Sequence, residues 1–232
     1  MGRQLGLYIH IPFCKSKCDY CDFYSLPERE ARMDAYQKAL LAHLKETAPQ
    51  AKGYLVDTVY FGGGTPSLLG ARRLTRLLET AATAFSLSQE AEITLEVNPG
   101  DGLQETLSAF SSAGGNRISV GMQSARDDEL VRLGRRHRFA DVRRTVEEAQ
   151  RAGLSNLSLD LMLAIPGQTE DTAVASARTA AALGARHVSA YLLKIEEGTP
   201  FYRQRDRLSL PNDEETADRY LAVCHALEEA GL

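Results

Sequence analysis

The stretch "AEITLEVN", residues 91–98, alternates apolar and polar side chains along its length. Because residues two apart in a strand share a face, one face is aliphatic and the other carries Thr94, Glu96 and Asn98. Burying Glu96 in an apolar core without polar partners would be costly. The stretch therefore predicts a strand with one face in the core and the other against water or a polar ligand.

The same alternation recurs in three other β-like runs of the chain. The polar positions are Tyr8 and His10 in residues 5–13, Ser119, Gly121 and Gln123 in residues 116–124, and Ser158 and Asp160 in residues 156–165. A parallel sheet that is covered by helices on both sides has two apolar faces. A repeated polar face instead predicts a curled sheet with helices outside and a polar concave interior.

Six β-then-α units with short connections run through the chain, which predicts a parallel sheet. We expect one domain over residues 1–232, an α/β fold of the partial parallel (β/α)6 barrel type. Asn212 and Glu215 form a capping-box pattern that opens a last helix through Ala230, and Gly231 fits its C′ position. Leu232 would begin a strand that does not follow, so we interpret the chain as a fragment or a natural truncation.

Composition narrows the class of protein. The 27 basic and 31 acidic side chains leave a net charge of −4, which argues against a nucleic-acid partner. No apolar run approaches the ~20 residues of a spanning helix, so we expect no membrane insertion. Of four cysteines, three are clustered, which is unlike a disulfide framework. We expect a reducing, cytoplasmic environment in which thiolates can bind metal.

The segment "HIPFCKSKCDYCDFYS", residues 10–25, contains that cluster as Cys14-x3-Cys18-x2-Cys21. Its Lys and Asp content argues against buried, inert cysteines. A zinc site with His10 as the fourth ligand is one alternative, although structural zinc usually pairs two knuckles. The other is an iron–sulfur cluster held by three thiolates. In a [4Fe–4S] cluster, three cysteines leave one iron open to another ligand.

With Tyr20 before the last cysteine, this spacing resembles the radical S-adenosylmethionine (SAM) superfamily. "YFGGGTPS", residues 60–67, resembles the glycine-rich loop that takes the SAM amino group in that family. The resemblance implies a [4Fe–4S] cluster whose open iron is chelated by SAM. The metal ligands would then be Cys14, Cys18 and Cys21.

The resemblance narrows to the branch of oxygen-independent coproporphyrinogen III dehydrogenases and HemW-type haem chaperones. "LYIHIPFC", "EVNP", "NRISVGMQS", "LGRRH", "LDLMLAIPGQT" and "YLLKIEEGTPFY" stand in the order of that branch. Some matching positions serve a second SAM molecule in the dehydrogenase. The positions that match SAM contacts are Tyr8, Tyr20, Gly63, Gly64, Thr65, Glu96, Gln123, Arg135, Asp160 and Lys194.

One residue separates the two members of the branch. The dehydrogenase continues Cys-x-Cys after its third ligand, whereas this chain has Phe23 there, which resembles the chaperones. This resemblance implies haem as cargo, haem-acceptor proteins as partners and no catalytic residue, with an electron donor such as flavodoxin or ferredoxin as a further partner. The alternative is the dehydrogenase itself, an enzyme of porphyrin biosynthesis, and we expect that activity to be absent.

The chain also departs from the pattern of the branch. Ala125 stands where an aromatic residue is usual, Gly115 where a β-branched residue is usual, and Ala164 where glycine is usual. The resemblance implies a further C-terminal part, which we expect this chain to lack after Leu232. Two other features have ordinary interpretations: "GRRHR", residues 134–138, as a solvated helix end apart from Arg135, and Cys224 as a core residue with Ala217, Tyr220 and Leu227.

Overall fold

The structure, a computed structural model, describes residues 3–100 and 102–232. Its centre is a sheet of six parallel strands that follow one another in chain order. The strands are β1 (Arg3–Ile11), β2 (Tyr54–Gly63), β3 (Leu87–Val97), β4 (Arg117–Gln123), β5 (Asn156–Leu163) and β6 (His187–Leu192). The predicted partial parallel (β/α)6 barrel is confirmed.

Helices follow each strand, and neighbouring helices contact one another along the outside of the sheet. They are α1 (Glu30–Thr47), α2 (Gly70–Ala84), α3 (Leu103–Ser112), α4 (Asp127–Arg132), α5 (Phe139–Arg151), α6 (Glu170–Ala182), α7 (Pro200–Gln204) and α8 (Asp213–Glu229). Short 3-10 turns cover Ala48–Ala51, Pro66–Leu69 and Arg205–Arg207. None of the helices within the described ranges is both long and apolar enough to cross a bilayer.

The convex side of the sheet holds the core. Phe61, Leu95 and Ile118 are register partners on three adjacent strands, and all three are fully buried. Leu74 on α2 and Leu107 on α3 belong to the same apolar cluster. Burying such a side chain stabilises a fold by about 1.5–3 kcal/mol, so this side supplies most of the packing energy.

The concave side is polar, as the alternation predicts. Glu96, Ser119, Ser158 and His187 are register partners across β3 to β6 and form one row on that face. The hydroxyl oxygen of Ser158 lies 2.8 Å from Nδ1 of His187. The strands therefore place their polar side chains together in the curve of the half-barrel.

The last helix begins and ends as predicted, but its buried stripe differs. Asn212 accepts a hydrogen bond from the Glu215 amide at 2.9 Å, and Gly231 has a φ of +86°. The buried residues of α8 are Val223 and Ala226, whereas Tyr220 is 40% exposed and Cys224 is half-buried. The predicted core stripe is wrong by one position, since the helical spacing fits both phases.

The structure explains one departure from the family pattern, at Gly115, and shows the cost of another, at Ala164. A Cβ on Gly115 would lie 2.2 Å from Cε1 of Phe110, so the missing side chain makes room for a buried aromatic ring. Ala164 has a φ of +62°, a left-handed conformation that glycine adopts without strain. Its alanine side chain therefore costs about 1–2 kcal/mol at that position.

Candidate functional site

The cysteine segment forms a loop between β1 and α1 that folds back on the end of β1. The Leu26 amide donates to the Pro12 carbonyl at 2.6 Å, and the Glu28 amide donates to the Cys14 carbonyl at 3.3 Å. These bonds pair Phe13–Cys14 with Leu26–Pro27 as two short parallel strands. All four cysteines of the chain are free thiols. The loop thus presents three half-buried thiols at the carboxyl ends of the strands.

Distant residues hold the middle of this loop. The Asp19 amide donates to the Leu133 carbonyl at 3.2 Å, and the Asp19 carbonyl accepts from the Phe201 amide at 3.0 Å. Gly134 has a φ of +69°, and a Cβ there would lie 2.8 Å from the carboxyl carbon of Asp19. The shape of the loop therefore depends on segments more than a hundred residues away.

The glycine corner, Gly63–Thr65, lies directly beside the first cysteine. The Gly64 amide donates to the Ile11 carbonyl at 2.8 Å, and the Thr65 amide donates to the Phe13 carbonyl at 2.7 Å. A Cβ on Gly64 would lie 2.7 Å from the Phe13 carbonyl oxygen and 3.0 Å from Sγ of Cys14. Only glycine permits this approach of the corner to the cysteine loop.

Glu96 braces the same corner from β3. The Tyr60 hydroxyl donates to its Oε1 at 2.9 Å, and the Gly63 amide donates to its Oε2 at 3.0 Å. Burial raises the pKa of Glu96, and these two hydrogen bonds oppose the rise. Burial and the neighbouring Glu96 also raise the pKa of Tyr60. The carboxylate is oriented by protein donors and faces the concave side.

A chain of side-chain contacts joins the first two cysteines through the corner. The hydroxyl of Thr65 lies 3.6 Å from Sγ of Cys14 and accepts from the Asn98 amide at 2.7 Å. Arg135 donates to the Asn98 side-chain oxygen at 2.7 Å and to Sγ of Cys18 at 3.5 Å. Residues from three other segments are therefore linked to two of the three thiols.

The run "GRRHR" is only in part the solvated helix end that the sequence suggests, since Arg136 and Arg138 are exposed but His137 is not. Nε2 of His137 lies 3.2 Å from the Met122 carbonyl oxygen, and His137 is only 5% exposed. Burial and the nearby Arg135 lower the pKa of His137 to about 4. Burial raises the pKa of Tyr20 to about 12, and Arg135 partly offsets that rise. The prediction misses His137 because the backbone turns back into the site at Gly134, which no periodicity reveals.

Gln123 has a strained backbone and an unpaired amide oxygen. Its φ is +65°, and the register between β4 and β5 shifts just before it. A Cβ on Gly121 would lie 3.1 Å from Nε2 of Gln123, and Arg135 approaches the same position. Its Oε1 is buried and has no hydrogen-bond partner within the part of the chain that the structure describes. Such groups concentrate at functional sites.

Asp160 lies farther along the polar row. The Ser119 hydroxyl donates to its Oδ1 at 3.0 Å. Burial raises its pKa to about 6, although hydrogen bonds from Ser119 and Ser189 oppose the rise. Burial therefore disfavours the charged form of Asp160, and a hydrogen-bond donor or a cationic group of a ligand would stabilise that form.

Two of the ten predicted cofactor contacts lie at the margins. Tyr8 is 60% exposed on the edge strand, with its ring 6.0 Å from that of Tyr60. The Lys194 ammonium pairs with Glu196 at 2.7 Å, and its side chain is 80% exposed. In the described ranges no hydrogen bond joins Lys194 to another predicted site residue. The other eight are Tyr20, Gly63, Gly64, Thr65, Glu96, Gln123, Arg135 and Asp160.

The geometry of the described residues does not by itself separate the zinc alternative from the iron–sulfur cluster. No group of three or more His, Cys, Asp or Glu side chains in residues 3–100 and 102–232 is arranged to hold one metal ion. His10 packs against the corner instead, since a Cβ on Gly63 would lie 2.7 Å from its ring. Its Nδ1 lies 3.2 Å from the Tyr8 hydroxyl oxygen. His10 is a wall residue of the concave face.

Sequence reasoning missed three residues that orient the site: Tyr60, Asn98 and Ser119 as partners of Glu96, Arg135 and Asp160. Asn98 and Ser119 lie on predicted polar strand faces, and Tyr60 lies between the apolar residues Val59 and Phe61. The period-two pattern therefore carried the signal that they face the site. Their individual partners depend on strand register, which the pattern does not give.

Comparisons with known proteins agree with this geometry. The sequence matches the radical SAM superfamily over residues 8–180. It is 38% identical to the heme chaperone HemW of Mycobacterium tuberculosis over 236 residues, covering 100% of this chain and 60% of that protein. It is 41% identical to the HemW of Escherichia coli over 198 residues, covering 85% of this chain and 52% of that protein. The chain thus spans about 60% or less of the length of these relatives.

A solved structure gives the same result. Coproporphyrinogen III oxidase (HemN) from Escherichia coli, described as a radical SAM enzyme, superposes with a TM-score of 0.87 at 25% identity. The match covers 99% of this chain and 53% of that one. The family match, which extends over most of the chain, and the shared half-barrel lead to one conclusion: this chain belongs to the radical SAM superfamily.

Proposed function

We propose that this protein binds a [4Fe–4S] cluster through Cys14, Cys18 and Cys21, binds SAM beside it, and acts as a haem chaperone. The observation that carries the cofactor proposal is the contact chain from Cys14 through Thr65, Asn98 and Arg135 to Cys18. It ties the thiol loop to the glycine corner, to the end of β3 and to the segment after α4. A loop that served only as a connection would not need such bracing.

The residues present fit these groups. Three free thiols on one braced loop are the soft ligands that iron–sulfur clusters select. Oε1 of Gln123, which has no partner among residues 3–100 and 102–232, and the oriented Glu96 carboxylate offer acceptors for a polar ligand. When bound, the cluster would supply the electron for cleavage of SAM. The protein's own part would be to hold SAM by Gly63–Thr65 and Glu96, and to keep Arg135 beside the Cys18 sulfur.

The chaperone proposal draws on the relatives and on Phe23. Curated relatives that cover the whole chain are named heme chaperones, which supports haem as the cargo and haem-acceptor proteins as partners. Phe23 is 67% exposed on the cysteine loop, where the dehydrogenase pattern has another cysteine. Free thiols also suit a reducing cytoplasm, and a flavodoxin- or ferredoxin-like donor would reduce the cluster.

Anaerobic reconstitution tests the cofactor proposal. We expect iron and acid-labile sulfide to approach about four each per chain, with a broad visible band. SAM should then bind, as measured by calorimetry, and a haem titration should give a Soret band that an acceptor apoprotein removes. Stoichiometric zinc without that band contradicts the cluster. Haem that does not bind, or that is not passed on, contradicts the chaperone.

One observation keeps the dehydrogenase as a second candidate: the match to coproporphyrinogen III oxidase over 99% of this chain. We expect no conversion of coproporphyrinogen III under anaerobic, reducing conditions with cluster and SAM present. Conversion above the level of a Cys18→Ser control would establish the enzyme and contradict the chaperone.

A further inference from the structure

A buried polar cluster lies just outside the predicted site. It consists of Ser124, Glu129, Gln168, Thr172 and Ser176, from the end of β4, from α4, from the loop after β5 and from α6. Ser124, Glu129, Gln168 and Ser176 are each at most 2% exposed. None of the five matches a family contact with SAM, and their burial excludes a role as solvated surface residues.

Glu129 is the centre of this cluster. Its Oε2 accepts from the Ser124 hydroxyl at 2.6 Å and from the Gln168 amide at 3.1 Å. Its Oε1 accepts from the Thr172 hydroxyl at 2.8 Å. An ionised carboxylate in an interior is costly unless its oxygens are hydrogen-bonded. Glu129 therefore holds these three donors at fixed positions.

Two of the three donors, Ser124 and Gln168, belong to strand ends with strained backbones. Ser124 directly follows Gln123, whose φ is +65°, and Gln168 closes the loop that begins at Ala164, whose φ is +62°. The backbone amide of Gln168 donates to the Ile165 carbonyl at 2.8 Å. Strained conformations persist only where surrounding contacts determine them, and here the contacts meet at Glu129.

The cluster also occupies the place of a family departure. The Ala125 amide donates to the Ser176 hydroxyl at 3.1 Å, and that hydroxyl lies 3.4 Å from the Ser124 hydroxyl. An aromatic residue is usual at position 125 in the branch that this chain resembles. The backbone of the departing residue is therefore tied to the cluster by its own amide.

The position of Glu129 on α4 extends its effect to the cysteine loop. Immediately after α4, the Leu133 carbonyl accepts from the Asp19 amide at 3.2 Å, and Arg135 reaches Sγ of Cys18 at 3.5 Å. Because α4 has only six residues, its internal hydrogen bonds cannot fix its position alone. Movement of α4 would displace both contacts with the loop.

We propose that Glu129 is a positioning residue: it anchors α4 and the Gln123 end of β4, and so sets the cysteine loop and the SAM site. This inference rests on the proposed cofactor function, but it concerns residues that touch neither cluster nor SAM. Its consequence is that loss of the Glu129 acceptors should weaken SAM binding without removing the cluster ligands.

The test compares Glu129→Gln with Glu148→Gln. Glutamine keeps the shape but replaces one acceptor oxygen with a donor, so one of the three donors loses its partner. Glu148 is also buried, on α5, and its Oε2 has no partner among the described residues, which makes it the matched control. At equal iron content we expect Glu129→Gln to weaken SAM binding by about tenfold or more, with Glu148→Gln within about twofold of the parent.

A second readout needs no cofactor. In the apoprotein, hydrogen–deuterium exchange of residues 15–23 should become faster in Glu129→Gln and stay unchanged in Glu148→Gln, because the Asp19 amide loses its fixed acceptor. If Glu129→Gln does not fold, Ser124→Ala, which removes one donor and leaves the carboxylate, should give a smaller change in the same direction.

The inference would be overturned if folded Glu129→Gln, or Ser124→Ala in its place, showed the SAM affinity and the exchange rates of the parent protein. A lower melting temperature alone, with normal SAM affinity, would also overturn it and would leave a merely structural role. These results differ from a failure of the proposed function, in which the parent protein itself would bind no cluster or no SAM.

Discussion

The two faces of the same sheet differ in how completely their side chains are satisfied. On the convex face Phe61, Leu95 and Ile118 are fully buried in a continuous apolar core. On the concave face Asp160 has a raised pKa, and Oε1 of Gln123 has no partner among the described residues. Because consecutive residues of one strand supply opposite faces, stability and binding are encoded one residue apart. The concave face carries costs that the convex face offsets.

The largest expected effect is loss of the cluster. Cys18→Ser removes a thiolate that Arg135 already contacts at 3.5 Å, and a hydroxyl is a poor ligand for iron–sulfur chemistry. We expect iron and sulfide to fall to background after reconstitution. Cys224→Ser, on the outer helix α8, should retain both. If Cys224→Ser also lost the cluster, the division of roles between the two sides of the sheet would be wrong.

The convex face should respond to mutation through stability alone. Leu107→Ala removes a fully buried side chain of α3 and should lower the free energy of unfolding by about 2–5 kcal/mol. Urea denaturation of the apoprotein measures this change. SAM affinity of the folded, cluster-loaded variant should match that of the parent, and a large loss of affinity would show that the two faces are coupled.

On the concave face, replacing Asp160 should raise the stability of the fold, whereas replacing Leu107 on the convex face should lower it. Because its pKa in the fold is about 6, above the usual 3.9 of an unfolded chain, the folded protein binds the proton more tightly than the unfolded chain. Ionisation of Asp160 therefore destabilises the fold as pH rises from about 4 to about 6, and the full cost remains above that range.

Asp160→Asn should remove this cost. We expect the variant to be more stable than the parent by up to about 3 kcal/mol at pH 7.5, and the difference to vanish below about pH 4. Urea denaturation across this pH range is the measurement. A variant that is less stable than the parent at pH 7.5 would mean that the Ser119 and Ser189 hydrogen bonds outweigh burial.

The smallest expected effect is at the glycine corner, which lies at the boundary between the two faces. A side chain on Gly64 meets the Phe13 carbonyl and the Cys14 sulfur, so Gly64→Val should weaken SAM binding by about 10- to 100-fold through overpacking of about 1–3 kcal/mol. Cluster content should also fall, because Cys14 must shift. Gly100→Ala, where a Cβ meets nothing within 4 Å, is the control. Normal SAM binding by Gly64→Val would remove the corner from the site.

The sequence alone predicted the parts of this molecule that depend on local periodicity. Alternation in β1, β3, β4 and β5 gave the polar concave face, and the cysteine and glycine motifs gave the centre of the site. It did not predict α4, because six residues are too few for a helical period to emerge. Nor did it predict the Arg135 contacts, the φ of Gln123 or the Glu129 cluster, which depend on register and on contacts between distant segments.

The distant bracing of the cysteine loop has a consequence for biosynthesis. Cys18 and Arg135 are 117 residues apart in the chain, so at roughly 5–20 residues per second Cys18 leaves the ribosome about 6–23 s before Arg135 does. We expect thiols of stalled nascent chains to react rapidly with an alkylating reagent until residues beyond Phe201 have emerged, and slowly afterwards. Equal reactivity at both lengths would contradict this order. Cluster delivery would then have to await nearly the whole sheet, although its ligands are synthesised first.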